Sequence, residues 1–429
     1  MRRETSAVTP LGPAGVGHYG QFVAHDTTDD HGRSTSAPDP PLTSGQSTPW
    51  PPPGYLDAAS TSPLHPAARV ALLTALEHGW ADPSRRYHEA RRARQLLDMA
   101  RETVAAVLRA RPDEISFTGS GTEAIHLGVA GLAKGRARVG ARIVATAVEH
   151  SSVLHAARAV PEGELITAGV DEFGRVDLGE FERVVTGGGV ALTAVQSANH
   201  EVGTRQPLAE VAAISAAHDV PLLVDAAQSI GRDPAPEHWS VLCASAHKWG
   251  GPAGVGVLAV RTGVRWRSPS PDGSQEHGRV PGFVNIAAIV AAAAALEAVE
   301  RVRVAESDRL SALVGMIRAR VPEIVPDVVV LGDPLDRLPH LVTFSCLYVD
   351  GESLLADLDR AGFAVSSGSS CVADALVPSH VLAAMGALTQ GNLRVSLPAG
   401  AREGDVARFL EVLPSIVMRA RAEFGAEGL

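Results

Sequence analysis

Lys248 follows the apolar run 240–246 in Ser245-Ala246-His247-Lys248, with Asp225 and Gln228 upstream and Cys371 far downstream. A lysine so placed can carry a Schiff base, because desolvation depresses its basicity and frees the amine to attack a carbonyl. Asp225 ends a second apolar run, where a carboxylate can face a pyridinium nitrogen. Together the two residues point to pyridoxal phosphate, and the cysteine points to chemistry on sulfur.

A phosphate needs donors. Phe117-Thr118-Gly119-Ser120-Gly121-Thr122-Glu123-Ala124 joins a strand to a helix, so its backbone N–H groups and the helix dipole can meet an anion. Gly119, Gly121 and Ala124 also satisfy the dinucleotide pattern G-x-G-x-x-A, but no acid lies about 20 residues on and Glu149 comes late. An ordinary tight turn has the same composition.

These residues must be positioned by regular elements, and the patterning supplies them. A helical stripe runs from 91 to 108 through Leu96, Leu97, Ala100, Val104, Val107 and Leu108. Strands are expected at 115–117 and 143–148, with helices at 122–132 and 151–160. Further apolar runs lie at 191–196, 222–225, 242–246 and 255–260. Alternating strands and helices imply right-handed crossovers and a mostly parallel sheet covered on both faces. Ligands on such sheets sit beyond the carboxyl ends of the strands. Glu149 and His150, Asn199, Asp225 and Gln228, and His247 with Lys248 all fall there. A long helix is expected from 285 to about 314. A second alternation then follows: strands at 341–344, 364–366 and 393–396, and helices at 352–361 and 377–385.

Composition narrows the function. A chain of 429 residues exceeds one ordinary core, so two domains are expected. The formal net charge of -10 argues against nucleic acid as the main partner. Three cysteines cannot form a disulfide framework, which favours a reducing compartment, the cytoplasm. Cys243 and Cys346 lie in apolar runs and read as small core residues. The Ala-rich run 286–296 is far shorter than the roughly 20 residues of a membrane span, and Arg2 and Arg3 are not followed by the apolar region of a secretory signal. The first fifty positions are rich in Pro, Ser, Thr, Gly and Asp and read as a disordered extension. His18, His25 and His31 have no cysteines or ligand spacing beside them, so no metal site is expected.

Read in order, Gly121-Thr122-Glu123, Glu149-His150, Asn199-His200-Glu201-Val202-Gly203, Val224-Asp225-Ala226-Ala227-Gln228-Ser229, Ser245-Ala246-His247-Lys248, Ser366-Ser367-Gly368-Ser369-Ser370-Cys371 and Leu393-Arg394-Val395-Ser396 resemble cysteine desulfurases. These are class V members of the fold type I pyridoxal phosphate enzymes, and the similarity runs from about Tyr55 to the C-terminus. The resemblance implies an α/β large domain with a mostly parallel seven-stranded sheet over 67–286. It implies a smaller α+β domain from 54–66 and 287–429, with the extension occupying 1–53.

The resemblance also implies roles. Lys248 would hold the cofactor covalently, Asp225 would keep its pyridine nitrogen protonated, and Gln228 would bond the ring's phenolic oxygen. His150 would stack on the ring and move protons. Gly121, Thr122, Ser245 and His247 would contact the phosphate, and Asn199 and Arg394 the substrate carboxylate, Arg for its planar fork. Cys371 would attack as thiolate, leaving a persulfide on the enzyme and releasing alanine from L-cysteine. Bland roles stay open for several: a strand-end cap for Asp225, a structural His150, a surface ion pair for Arg394, an inert thiol for Cys371. The expected partners are a second copy of the chain and a sulfur-acceptor protein. Another class V carbon-sulfur or selenocysteine lyase, or a non-catalytic scaffold, are the alternatives. Two departures stand out. Val280-Pro281-Gly282-Phe283 occupies the place where relatives have Arg-x-Gly-Thr, which supplies a phosphate-binding hydroxyl from the neighbouring subunit, so Phe283 cannot donate that bond, with Arg279 close enough in sequence to compensate. Ser396-Leu397-Pro398 replaces a glycine-ended turn.

Overall fold

The structure is a computed structural model, and it describes residues 49–270, 273–367 and 378–423. The larger sheet contains β1 (Ile115–Thr118), β2 (Arg142–Thr146), β3 (Glu164–Ala168), β4 (Val190–Gln196), β5 (Leu222–Asp225), β6 (Val241–Ser245) and β7 (Gly256–Val260), in spatial order β1-β7-β6-β5-β4-β2-β3. From β3 to β6 neighbouring strands are parallel, and β7 runs antiparallel to both β1 and β6. The expected mostly parallel, seven-stranded α/β sheet is present. Every residue of β1, β4, β5, β6 and β7 is buried, as a sheet covered on both faces requires.

The covering helices are α1 (Pro66–His78), α2 (His88–Val107), α3 (Gly121–Arg136), α4 (Ser151–Arg158), α5 (Leu178–Thr186) and α6 (Leu208–Ala217), joined by the first half of α7 (Ile286–Ile324). Side chains alternate across each strand. Val224 and Leu242 accordingly share a core with Leu97 and Val104 of α2 and Leu296 of α7, and Leu223 and Cys243 share one with Ile125 and Leu132 of α3 and Val153 of α4.

A second sheet, β8 (Val328–Leu331), β9 (Leu341–Cys346) and β10 (Asn392–Ser396), is antiparallel in the order β10-β9-β8. It packs under α8 (Gly351–Arg360) and α10 (Glu403–Glu423), with the short α9 (His380–Ala384) nearby in sequence. Its core joins Phe344, Val395, Leu354 and Phe409 to Leu310, Val314, Ile317 and Val321 of α7. That helix was expected to stop near 314, before Gly315. It continues to Ile324 because Ile317 and Val321 extend the apolar stripe into the second core, outweighing a cost of about 1 kcal/mol for a helical glycine. α7 therefore belongs to both cores.

Two more expectations change. Residues 364–366 form no strand: Ala364 bridges Tyr55 and Ser366 bridges Arg394, one pair each. The helix expected over 377–385 begins only at His380, where Ser379 caps it by accepting the Leu382 N–H (3.1 Å); position 377 lies outside the described residues. Of the extension expected over 1–53, positions 49–53 are described, and Pro51 is already buried while Trp50 meets the His65 ring edge-on at 4.9 Å. From there the chain threads between the sheets. Leu56 and Ala58 donate to Ala364 O and Ser396 O, and Ser62 donates to His247 O, which brings residues 57–62 to the end of β6.

Candidate active site

A cavity of about 160 Å³ opens at the carboxyl ends of β4, β5 and β6. Gly121, Thr122, His150, Asp225, Gln228, Ser245, His247, Lys248 and Arg394, drawn from five separate motifs, all line it. The sequence expectation for these nine positions was a single site, and the fold brings them to one.

Asp225 ends β5. Its Oδ1 accepts the Ala227 N–H (2.9 Å), and burial raises its pKa to about 6, offset by Ala227 and by the Lys248 ammonium. A cation facing it inside the cavity would restore its ionised form. Gln228, one turn on, donates Nε2 to Ala59 O (2.9 Å), while its buried Oε1 has no partner among the described residues. Lys248 closes a 3-10 turn directly after β6 and donates Nζ to Ala59 O (2.6 Å) and Ser60 O (2.8 Å).

The anion end is built from α3 and the β6 turn. Ser120 caps α3, its Oγ accepting the Glu123 N–H (3.0 Å), which leaves the first-turn N–H groups at Gly121 and Thr122 facing the cavity. Any side chain at Gly121 would meet Ser245 Cβ at 2.7 Å, so glycine is what lets the helix start approach β6. Ser245 Oγ and His247 Nδ1 lie 3.0 Å apart. Burial, then Lys248 and Arg232, push His247 down to about 4, so it presents a neutral ring.

His150 caps α4, its Nδ1 accepting the Ser152 N–H (3.2 Å) and lying 2.7 Å from Ser152 Oγ. Burial, then Lys248, His380 and His155, lower its pKa to about 4, so near neutrality it is an uncharged ring able to take a proton. The His200 ring stands edge-on to it, 5.0 Å between centroids.

Arg394, on β10, is 1% exposed. It donates Nη1 to His200 O (3.0 Å) and Nη2 to Asp57 Oδ1 (3.0 Å) and Ser60 Oγ (2.6 Å), while its buried Nε has no partner among the described residues. The surface ion pair left open for it is corrected to a buried one at the cavity wall. Asn199 is not among the lining residues. Its Oδ1 accepts the N–H groups of Glu201 and Val202, and its Nδ2 donates to Val148 O, so the amide is spent on its own turn. Cys371 lies outside the described residues. The chain entering its segment is tied to the site through Ser366, which exchanges backbone bonds with Arg394, and the chain leaving it through Ser379, whose Oγ donates to Glu201 Oε2 (2.6 Å). Cys243 and Cys346 are buried, and burial raises both thiols, Cys346 to about 11, which disfavours the thiolate.

Arg279 is not at the cavity: its guanidinium donates to Asp113 O, Glu114 O and Ser116 Oγ. Phe283 itself is 63% exposed and lies with Leu76 and Trp80 around a separate hollow beside α1. Sequence reasoning missed Ala59 and Ser60, whose carbonyls hold Lys248, because small residues in an irregular segment carry no chemical pattern. It saw the pair His200-Glu201 inside a motif but gave the two no task.

The donor set fits pyridoxal phosphate: a buried carboxylate for a ring nitrogen, an unsatisfied amide oxygen, a neutral imidazole beside the cavity, a lysine, and a helix start with hydroxyl and imidazole donors for a phosphate.

The family model for class-V aminotransferases matches residues 54–409. The chain is 35% identical over 382 residues to a cysteine desulfurase IscS of Clostridium botulinum, covering 86% of this chain and 95% of that one. It is 33% identical over 375 residues to the IscS of Dictyoglomus turgidum, with the same coverage. Among solved structures, a NifS-like protein superposes with a TM-score of 0.79 at 28% identity, over 85% of this chain and 99% of that one.

Proposed function

The chain belongs to the class-V aminotransferase family, and from that premise we propose how its residues work as a pyridoxal phosphate-dependent cysteine desulfurase. The observation that carries the reading is the shared cavity of Asp225, Gln228 and Lys248, with the buried Gln228 Oε1 left without a partner among the described residues. Relatives over 86% of the chain are cysteine desulfurases, so neither another class V lyase nor a scaffold is favoured.

Lys248 holds the cofactor through Nζ, and Asp225 holds the ring nitrogen's proton. Gly121, Thr122, Ser245 and His247 would bind the phosphate, and Gln228 would hydrogen-bond the phenolic oxygen. Bound there, pyridoxal phosphate supplies an electron sink for bonds at the amino acid's α-carbon. Arg394 fixes the substrate carboxylate through Nε or by exchanging Asp57 for it. Asn199 serves by holding the turn that carries the neighbouring His200 and Glu201. His150, uncharged near neutrality with Nδ1 accepting from Ser152, carries its hydrogen on Nε2, so it takes a further proton only at Nδ1, by giving up the Ser152 N–H, and returns it from there. Cys371 as thiolate takes the substrate's sulfur and becomes a persulfide, and alanine leaves. A sulfur-acceptor protein would then receive that sulfur.

A second copy of the chain is supported by the apolar face formed by Leu73, Leu76, Trp80 and Phe283, all more than half exposed. No helix among the described residues is long and apolar enough to cross a membrane; buried, unpaired Cys243 and Cys346 suit a reducing compartment such as the cytoplasm.

The test is to give the reconstituted protein L-cysteine with a reductant and to measure alanine and sulfide. Alanine formation that disappears in C371A is the expected result. Full alanine formation by C371A contradicts the persulfide step.

A further inference from the structure

The turn after β4 meets His150, Arg394 and the start of α9. Asn199 shapes it from within, Oδ1 accepting the N–H groups of Glu201 (2.8 Å) and Val202 (2.9 Å), and Gly203 completes it at φ +81°. The turn then reaches outward four ways. The His200 ring stands against His150 at 5.0 Å. The His200 carbonyl accepts from Arg394. Glu201 Oε1 lies 3.7 Å from His200 Nε2, while Oε2 accepts from Ser379 at the start of α9. The Glu201 carbonyl accepts from Thr343 on β9 (2.5 Å).

Glu201 is 2% exposed. A carboxylate kept out of water is a costly filler, and an apolar or amide side chain of similar volume would serve packing at least as well. Its two oxygens instead divide between an imidazole that abuts the cofactor-facing histidine and a hydroxyl that caps the helix following residues 368–377. Glutamine could keep the geometry but not the charge, and this separates packing from function.

We propose that Glu201 is a positioning residue that, through His200, sets the orientation of the His150 ring and, through Ser379, ties the start of α9 to the same point. The inference rests on the desulfurase reading of the site and deepens it. Lys248, Arg394, His155 and His380 also face this histidine pair, all cationic or able to become so. Burial raises the Glu201 pKa to about 7, so Glu201 gains its charge beside His200 above that pH, while His150, lowered to about 4, stays uncharged. An anion 3.7 Å from His200 Nε2 favours the neutral tautomer with its hydrogen on Nε2 and holds that ring against His150.

The experiment titrates apoprotein carrying ¹³C-labelled histidine rings by NMR, with H150Q assigning the His150 signal, in wild type, E201Q, E201D and S379A. In parallel, kcat and KM for L-cysteine are measured on the reconstituted enzymes from pH 6 to 9. Wild type shows a step in the His150 and His200 ring signals near pH 7 as Glu201 ionises; E201Q removes that step and lowers kcat about 10-fold above pH 7 with little change in KM. E201D restores most of both. S379A leaves the His150 titration in place. A His150 signal and a pH profile unchanged in E201Q, with only the melting temperature lowered, would overturn the proposal. Should E201Q not fold, H200Q puts the same question, and an unmoved His150 there overturns it equally. Because the titration needs neither cofactor nor substrate, failure of wild type to release alanine would sink the desulfurase reading without touching this result.

Discussion

The floor and the wall of the cavity are built differently. The floor, Asp225, Ser245, His247, Lys248 and the start of α3, rests on β1, β5 and β6 of one mostly parallel sheet, and each residue lies within three positions of a strand end. The wall is assembled from residues 57–60, the 199–201 turn and Arg394 of the second sheet, joined by side-chain bonds between positions up to 337 apart. The floor is positioned by backbone topology, the wall by polar contacts that must be satisfied together. Floor substitutions should therefore remove chemistry and spare the fold, whereas substitutions in the wall's Arg394 contacts should weaken substrate binding and stability together.

The largest effect sits on the floor. K248A should abolish the yellow colour and lower alanine formation by at least about 1000-fold, with a melting temperature within a few degrees of wild type. Spectra and calorimetry check both, and a K248A protein that keeps activity would remove the contrast at its root. Next, D225A should cost about 100-fold or more in kcat through lost electrostatic stabilisation, read by steady-state kinetics, while weakening the fold less than a wall change.

On the wall, R394K keeps the charge but loses the fork that meets His200 O, Asp57 and Ser60. KM for L-cysteine should rise about 10- to 100-fold, with kcat changed far less. Urea unfolding should show a loss of about 1 to 3 kcal/mol from the stranded partners. If R394K alters kcat alone and leaves stability intact, floor and wall do not differ as described.

The smallest effect is the pH dependence of apoprotein stability. Burial raises Glu149 to about 8 and Asp225 to about 6. A group raised above its unfolded value binds more protons when folded, so its contribution is full below about pH 4 and fades as pH climbs toward 8. His150 and His247, lowered to about 4, act in the opposite sense, stabilising above pH 6.5 and losing that contribution as pH falls to 4. Melting temperature should therefore peak between these limits, near pH 6, and decline on both sides. E149Q keeps an acceptor for Thr146 and Gln196 and should flatten the alkaline limb only; an unchanged limb would mean that Glu149 is not the group responsible.

The same contrast explains what the sequence disclosed. Asp225, Lys248, His150 and Gly121 follow apolar runs or a glycine turn, so strand ends and motif spacing announced them. Arg394 was recognised only through its motif, and nothing in Leu393-Arg394-Val395 indicates that Asp57 would share its guanidinium. Ala59 and Ser60 could not be read at all, since their carbonyls act and any residue has one. β3 and β8 went unseen because both are partly exposed edge strands of five and four residues, too short for a clear period. α7 outran its expected end because packing against a second core overrode Gly315.

Covalent capture of Lys248 tests the central claim most directly. The chain has two lysines, Lys134 and Lys248, and Lys134 is exposed on α3, donating to Ser268 O. The protein would be reconstituted with pyridoxal phosphate, reduced with borohydride, digested and analysed by mass spectrometry. The account predicts one reduced phosphopyridoxyl group per chain, on the peptide containing Lys248, and none in D225A at limiting cofactor. Label confined to Lys134, or absent from a folded wild-type protein, would contradict it.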